Sequence, residues 1–234
     1  MLRAGGPYRV NSQCERAEAR QMRIVIFGPP GSGKGTYASR LMEKLGVPHI
    51  STGDLVREEI RNQTPLGKMI EKYSSSGGLV PDETITEILK ERMRSGASKG
   101  FVLEGYPRTV NQAKELAKMT KIDAVINLIV PDSVIIRRLS ARLQCKSCGA
   151  IYNEITLKPR VAGKCDKCGG ELFRRADDQP EVIQERLKVY REASAPVVDF
   201  YRSEGLLKDI GNEDPNADPN EIVSQILKMI KPRP

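Results

Sequence analysis

Gly28-Pro29-Pro30-Gly31-Ser32-Gly33-Lys34-Gly35-Thr36 lies between an apolar run, Ile24-Val25-Ile26-Phe27, and a segment of helical spacing from Tyr37 to Leu45. The context is strand, glycine-rich turn, helix. Glycines let successive backbone N–H groups turn inward with no Cβ in the way, and a helix start adds partial positive charge. At this spacing Lys34 reaches the β and γ phosphates of a nucleotide, and the Thr36 hydroxyl serves a phosphate or a metal. The usual loop has Ser or Thr directly after the lysine; here Gly35 intervenes. With strand and helix in place, the pattern predicts a phosphate-binding loop over Gly31, Ser32, Gly33, Lys34, Gly35 and Thr36 rather than an ordinary glycine turn.

Outward from the loop, strands and helices alternate. Met22 to Phe27, Val47 to Ile50, Phe101 to Leu103, Val125 to Val130 and Leu206 to Ile210 are strand candidates. Helical spacing covers residues 84–94, 110–119, about 132–143 and 219–230, and a mostly polar helical region runs from 52 to Gly77-Gly78. Ser51 or Thr52 can cap that region, with Asp54 suitably acidic for its first turn. Asp178-Gln-Pro180-Glu181 reads as an acidic cap, an early proline and a further acid, starting a helix through Arg186 to about Ala195. Such alternation predicts an α/β fold: a parallel five-stranded sheet with helices on both faces, and nucleotide at the carboxyl ends of the strands.

The chain has 234 residues, 29% charged and 39% hydrophobic, enough for one sizeable domain with small insertions. No apolar stretch reaches membrane-spanning length. The net charge of +8 raises nucleic acid as a partner, but the basic residues are spread out and interleaved with acids. Arginines gripping a small polyphosphate explain the balance better. Residues 1–21 have no hydrophobic period and read as a flexible extension, neither a secretory signal nor a good transit peptide; Cys14 there is a spare thiol. The other four cysteines form two pairs, Cys145-x2-Cys148 and Cys165-x2-Cys168, with 16 residues between them. Each pair is followed by glycine, which permits the turn that aims both thiolates at one metal. One tetrahedral zinc site fits this spacing, two disulfides being the competing account. Four protein ligands leave no open position, so the metal would be structural.

Taken together, these segments resemble the adenylate kinases, in the long-lid form with a zinc-binding lid, from about residue 22 to the C-terminus. Gly28 to Thr36 matches that family's loop, including the glycine between Lys and Thr. Ser51-Thr-Gly-Asp-Leu-Val-Arg57 is similar to its acceptor segment, which implies Thr52 near the acceptor base and Arg57 on the acceptor phosphate. Leu103-Glu-Gly105-Tyr-Pro-Arg108-Thr-Val-Asn-Gln112 resembles the segment in which Arg108 holds phosphate and Gln112 reads the adenine edge. Val130-Pro-Asp132 through Arg138 and Arg142 resembles the entry to the lid, and Arg175-Ala-Asp177-Asp178 with Arg186 its exit. Arg138 and Arg142 are four apart, which predicts one helix face clamping one polyphosphate. The family most often has Asp where this chain has Glu104; the resemblance implies a carboxylate there holding waters around Mg²⁺, with Asp54 a second candidate for that shell.

The function so implied is reversible phosphoryl transfer from Mg·ATP to AMP, giving two ADP, by a monomeric cytoplasmic enzyme without nucleic-acid or membrane partners. An acceptor phosphate is already ionised, so no general base is needed, and Lys34 with Arg108, Arg138, Arg142, Arg175 and Arg186 supplies alignment and charge. The lone His49 is then a structural residue. The core is expected over 22–50, 81–140 and 179–234, an AMP-side flap over 51–80, and the zinc lid over 141–178 with hinges near Ala141 and Asp178. The alternatives are a monophosphate kinase for another base and a nucleic-acid-binding zinc ribbon with a P-loop switch. Against the second, Tyr152 and Phe173 are the only aromatics near the cysteines to stack bases.

Overall fold

The computed structural model describes residues 22–97, 100–211, 214 and 217–230. The predicted extension over residues 1–21, with Cys14, lies outside them. Five parallel strands form the main sheet: β1 (Arg23–Phe27), β2 (His49–Ser51), β3 (Phe101–Glu104), β4 (Ala124–Ile129) and β8 (Leu207–Gly211), in the order β2-β3-β1-β4-β8. Register runs straight across the middle, Ile24 opposite Val102 on one side and Ala124 on the other.

Continuous apolar strands follow from burial on both faces. Ile24 and Ile26 point into one layer, where α1 (Lys34–Leu45), α6 (Asp132–Ser140), α7 (Pro180–Val189) and α9 (Pro219–Met229) bury Leu41, Ile135, Leu187 and Ile226. Val25 and Phe27 point into the other. There α2 (Thr52–Arg61), α3 (Pro65–Ser76), α4 (Asp82–Arg94), α5 (Val110–Met119) and α8 (Ala195–Ser203) contribute Val56, Ile70, Leu89, Leu116 and Val197. Period-2 alternation thus sorts neighbouring residues of one strand into two separate cores.

A second, antiparallel sheet lies between α6 and α7, with β5 (Arg142–Cys145) in the middle between β6 (Ile151–Asn153) and β7 (Leu172–Phe173). Its core is small: Cys145, Tyr152, Cys165 and Leu172. Both ends of the insert meet at one neck, where Glu154 N–H donates to Ala141 O at 2.8 Å and the Arg174 guanidinium to Ser140 O.

Three expectations need correction. The helix predicted to about residue 143 ends at Ser140, and Arg142 belongs to β5. Arg142-Leu-Gln144 is compatible with a helix locally, but it pairs with Asn153, Tyr152 and Ile151, and tertiary pairing overrides local preference. Asp178 does not cap the following helix. It sits in a short 3₁₀ turn, Ala176–Asp178, and Gln179 is the N-cap with no side-chain bond. The helix expected to stop near Ala195 passes through a π-helical turn, Tyr190–Ser194, and resumes as α8 to Ser203. Pro196 enters at the start of α8, where its missing N–H is tolerated beside the widened turn.

Candidate active site

Between β1 and α1 the chain turns through Gly28, Gly31 and Gly33, at φ of 140°, 78° and 98°. Gly33 caps α1 without a side chain, which leaves the first helical N–H groups to a ligand. A Cβ on Gly31 would stand 2.7 Å from Leu139 of α6, so only glycine lets the loop lie against that helix. Lys34 Nζ donates to Gly28 O at 2.7 Å and Pro29 O at 2.8 Å, inside the ring of the loop. Ser32 Oγ is buried with no hydrogen-bond partner, the kind of orphan that an anion in the loop would satisfy. Gly35 is explained by its neighbour: a Cβ there would lie 3.3 Å from Glu104 Oε1. Thr36 is on the first turn of α1, half-buried.

A cleft of about 630 Å³, partly open to solvent, runs from Thr52 and Arg57 past Gly105, Arg108 and Gln112 to Asp177 and Arg186. Its apolar wall is Val56, Leu79, Val80 and Ile85. The structure therefore brings together Thr52 and Arg57 of α2, Gly105 and Arg108 of the β3–α5 loop, Gln112 of α5 and Arg186 of α7; Arg175, also predicted on the acceptor side, does not line this cleft. Ser51, not Thr52, caps α2, accepting from Asp54 N–H at 3.2 Å. Thr52 Oγ1 donates to Glu104 O at 3.3 Å and fills the space above Gly105, where a Cβ would meet it at 2.7 Å. Arg57 pairs with Asp54 at 2.6 Å, while its Nε is buried without a partner.

Arg108 and Arg186 line this cleft, and Arg142 and Arg175 act electrostatically on the same cluster of charges. Arg108 Nε donates to Gly105 O at 2.9 Å. Although its surface faces the open cleft, desolvation and then the charges of Arg186 and Arg57 bring its guanidinium down to about 10. Arg175 is buried and donates through Nε to Gln144 Oε1 at 2.6 Å; burial, Arg142 and Arg57 lower it to about 9. Arg142 grips Asp178 with both arms of its fork, at 2.8 and 2.5 Å. Arg186 reaches Asp177 Oδ2 at 3.0 Å and Asp178 Oδ1 at 3.4 Å. Burial alone would raise Asp177, yet Arg186, Arg142 and Arg175 hold it below the usual carboxylate range. Arg138 stands apart from Arg142: at the end of α6 it donates to Asp214 O at 3.1 Å, so the two do not share a helix face.

The Lys34 ammonium feels the same field. Desolvation, opposed by Glu104 and reinforced by Arg108, Arg186 and Arg142, pulls it down to about 7. Burial would raise Glu104, but His49, with Nε2 at 3.4 Å, and Lys34 keep it below its ordinary range. An ionised carboxylate beside the loop lysine is a donor set suited to the waters of a hard cation. Asp54, committed to Arg57, is less available for that shell.

At the far end of the insert, the Sγ atoms of Cys145, Cys148, Cys165 and Cys168 all lie within 4.8 Å of one another. Tetrahedral thiolate coordination of zinc needs sulfurs about 3.8 Å apart, and two of the pairs here are at 3.5 Å. The four sulfurs fit one zinc. Tyr152 Oη accepts from Asp166 N–H at 2.7 Å, which leaves its proton for Cys165 Sγ at 3.4 Å. That bond is the main reason the Cys165 thiol is pulled down to about 6, towards the thiolate a metal requires.

Several partners escaped the sequence reading. Asp177 and Asp178 are counter-ions to the arginines, a role that two acids before a helix do not announce. Gln144 joins Arg175 to the first cysteine turn, since its Nε2 donates to Gly149 O at 3.2 Å. Asp82 accepts from three side chains of the α5 start, including Gln112. An i+30 contact leaves no periodic trace.

The adenylate kinase family model matches residues 26–206. An adenylate kinase of Archaeoglobus fulgidus is 46% identical over 217 residues, covering 90% of this chain and 100% of that protein. One from Thermosipho melanesiensis is 46% identical over 216 residues (90% and 100%), and one from Enterococcus faecalis 44% over 216 residues (89% and 99%).

Proposed function

The chain belongs to the adenylate kinase family, whose reaction is phosphoryl transfer between ATP and AMP, and from that premise we propose how its own residues divide the work. The donor phosphates lie in the loop from Gly31 to Thr36, on the α1 N–H groups and Lys34. The acceptor lies in the cleft, with Arg57 and Arg108 on its phosphate, Thr52 and Gly105 under the nucleoside, and Gln112 at the base. Arg142, Arg175 and Arg186 close over the transferring group, and Arg138 flanks the donor side. The observation that carries this reading is the cleft that gathers Thr52, Arg57, Gly105, Arg108, Gln112 and Arg186, together with the glycine loop that holds Lys34.

Transfer between two phosphates needs alignment and charge neutralisation more than covalent help. Polyphosphate would take over from Asp177 and Asp178 as partner of Arg142 and Arg186, so binding exchanges one set of charge-assisted bonds for another. Adenylate kinases use Mg²⁺ with ATP, and the ion neutralises charge on the β and γ oxygens when bound; Glu104, with Asp54 second, would hold its waters. Residues 51–80 form the AMP-side flap, 141–178 a zinc-stiffened lid that excludes water, and the remainder from residue 22 the core. Supporting the lid boundary is the neck at Ala141 and Arg174. Among the described residues no helix is long and apolar enough to cross a membrane. A monomer working in the cytoplasm, where thiolates stay reduced, fits the four-cysteine set.

The test is direct: supply Mg²⁺, ATP and AMP, and follow ADP by chromatography. Two ADP should form per ATP consumed, and Lys34→Met should abolish it. ATP loss matched by free phosphate would overturn the reading in favour of hydrolysis.

A further inference from the structure

The side-chain amide of Gln112 is held at both ends. Its Nε2 donates to Asp82 Oδ1 at 2.6 Å, and its Oε1 accepts from Arg108 N–H at 2.7 Å. These partners cannot exchange roles. An ionised carboxylate only accepts and a backbone N–H only donates, so the chemistry itself dictates which end of the amide is which. Gln112 is 2% exposed, yet it lines the cleft beside Val80 and Gly105. What it can still offer there is one N–H and one oxygen lone pair, in fixed order.

Asp82 is anchored well enough to impose that order. It is the first residue of α4, and its Oδ2 also accepts from Thr109 Oγ1 at 2.8 Å and Asn111 Nδ2 at 3.1 Å. Thr109 in turn caps α5, accepting from Gln112 N–H at 3.1 Å. The carboxylate therefore belongs to one element and the amide to another, and the two helix starts are tied together at this point.

We propose that Asp82 is a specificity-determining positioning residue: it locks the Gln112 amide against a flip and so excludes guanine as acceptor base. Adenine presents an amino donor at C6 and an acceptor at N1. Guanine presents an acceptor at O6 and a donor at N1, the same two places with the order reversed. Meeting guanine would require the flipped amide, which sets Oε1 against the Asp82 carboxylate and Nε2–H against Arg108 N–H. Two bonds would be lost and two repulsions created. This inference rests on the reading above that Gln112 faces the acceptor base.

The experiment compares kcat/KM for AMP and GMP, with ATP as donor, in Asp82→Asn, Thr109→Val and Gln112→Ala. Asparagine keeps the shape of Asp82 but donates as well as accepts, so it tolerates either amide orientation. The AMP-to-GMP ratio should fall about tenfold in Asp82→Asn, through both a higher KM for AMP and a gain with GMP, while KM for ATP moves less than twofold. Thr109→Val removes a neighbouring bond to Asp82 and a helix cap but leaves the lock, so it should lower Tm without changing the ratio. An unchanged ratio in Asp82→Asn, or an equal fall in Thr109→Val, overturns the lock. If Gln112→Ala leaves both the ratio and KM for AMP unchanged, Gln112 does not face the base, and that reading falls together with the lock.

Discussion

Lys34 carries a charge that its burial disfavours: its ammonium is lowered to about 7, chiefly by desolvation. The folded protein therefore holds fewer protons than the unfolded chain between about pH 7 and the ordinary lysine range. This group's cost to the fold is full below pH 7 and relieved as pH rises. Polyphosphate reverses the balance by restoring the cation, so ATP binding at pH 8.5 should take up close to one proton. Calorimetry of ATP binding in buffers of different ionisation enthalpy reads that uptake, which Lys34→Met should remove; buffer-independent heat in the unaltered protein would refute it. Asp178 makes a different prediction, because it is the counter-ion of Arg142. Asp178→Asn should destabilise the free enzyme by about 2 kcal/mol, because Arg142 loses its two-armed carboxylate partner in a largely buried place. A bisubstrate polyphosphate analogue supplies the missing charge, so the Tm gap between variant and parent should narrow when it is added.

Helices and strands differ in how much of them the sequence announces. The insert of β5, β6 and β7 has a hydrophobic core of only four buried residues, and two of these are cysteines. A core that small would depend on the proposed zinc to hold. Chelation should abolish amide protection across residues 142–173 while leaving β3 and β4 protected, as hydrogen exchange would show; equal protection with and without metal would remove zinc from the account. In the flap, a Cβ on Gly67 would stand 2.1 Å from Glu59 O, where α3 crosses α2. Gly67→Ala should cost about 1–3 kcal/mol and raise KM for AMP more than for ATP. The three central strands, β1, β3 and β4, were legible because each is a mostly apolar run buried on both faces, as Ile24 to Phe27 shows. The loop was legible because its chemistry is local. Strands of two or three residues such as Leu172–Phe173 are too short to display alternation, and Arg142 looked helical because its strand partners are distant in sequence. The roles of Asp82, Gln144 and Asp178 as partners of Gln112, Arg175 and Arg142 leave no sequence signal for the same reason: each acts across the fold on a residue that no pattern links to it.

Across the whole molecule, the net charge of +8 and the arginine-lined cleft favour the arrival of polyanions. Salt should therefore slow productive encounter, lowering kcat/KM for both nucleotides as ionic strength passes about 0.1 M, where the screening length is about 10 Å. A larger consequence lies in the neck at Ser140 and Ala141. The insert leaves the main body and returns to it at one spot, keeps its own small core, and would reach the proposed site through Arg142 and Arg175. It is in effect a cassette. Mutations that rebuild its interior, even exchanging the cysteines for polar residues that hold the same hairpins, need not disturb a single contact of the five-stranded sheet. Over many generations such a part can drift, lengthen or be replaced while the rest of the enzyme is inherited almost unchanged.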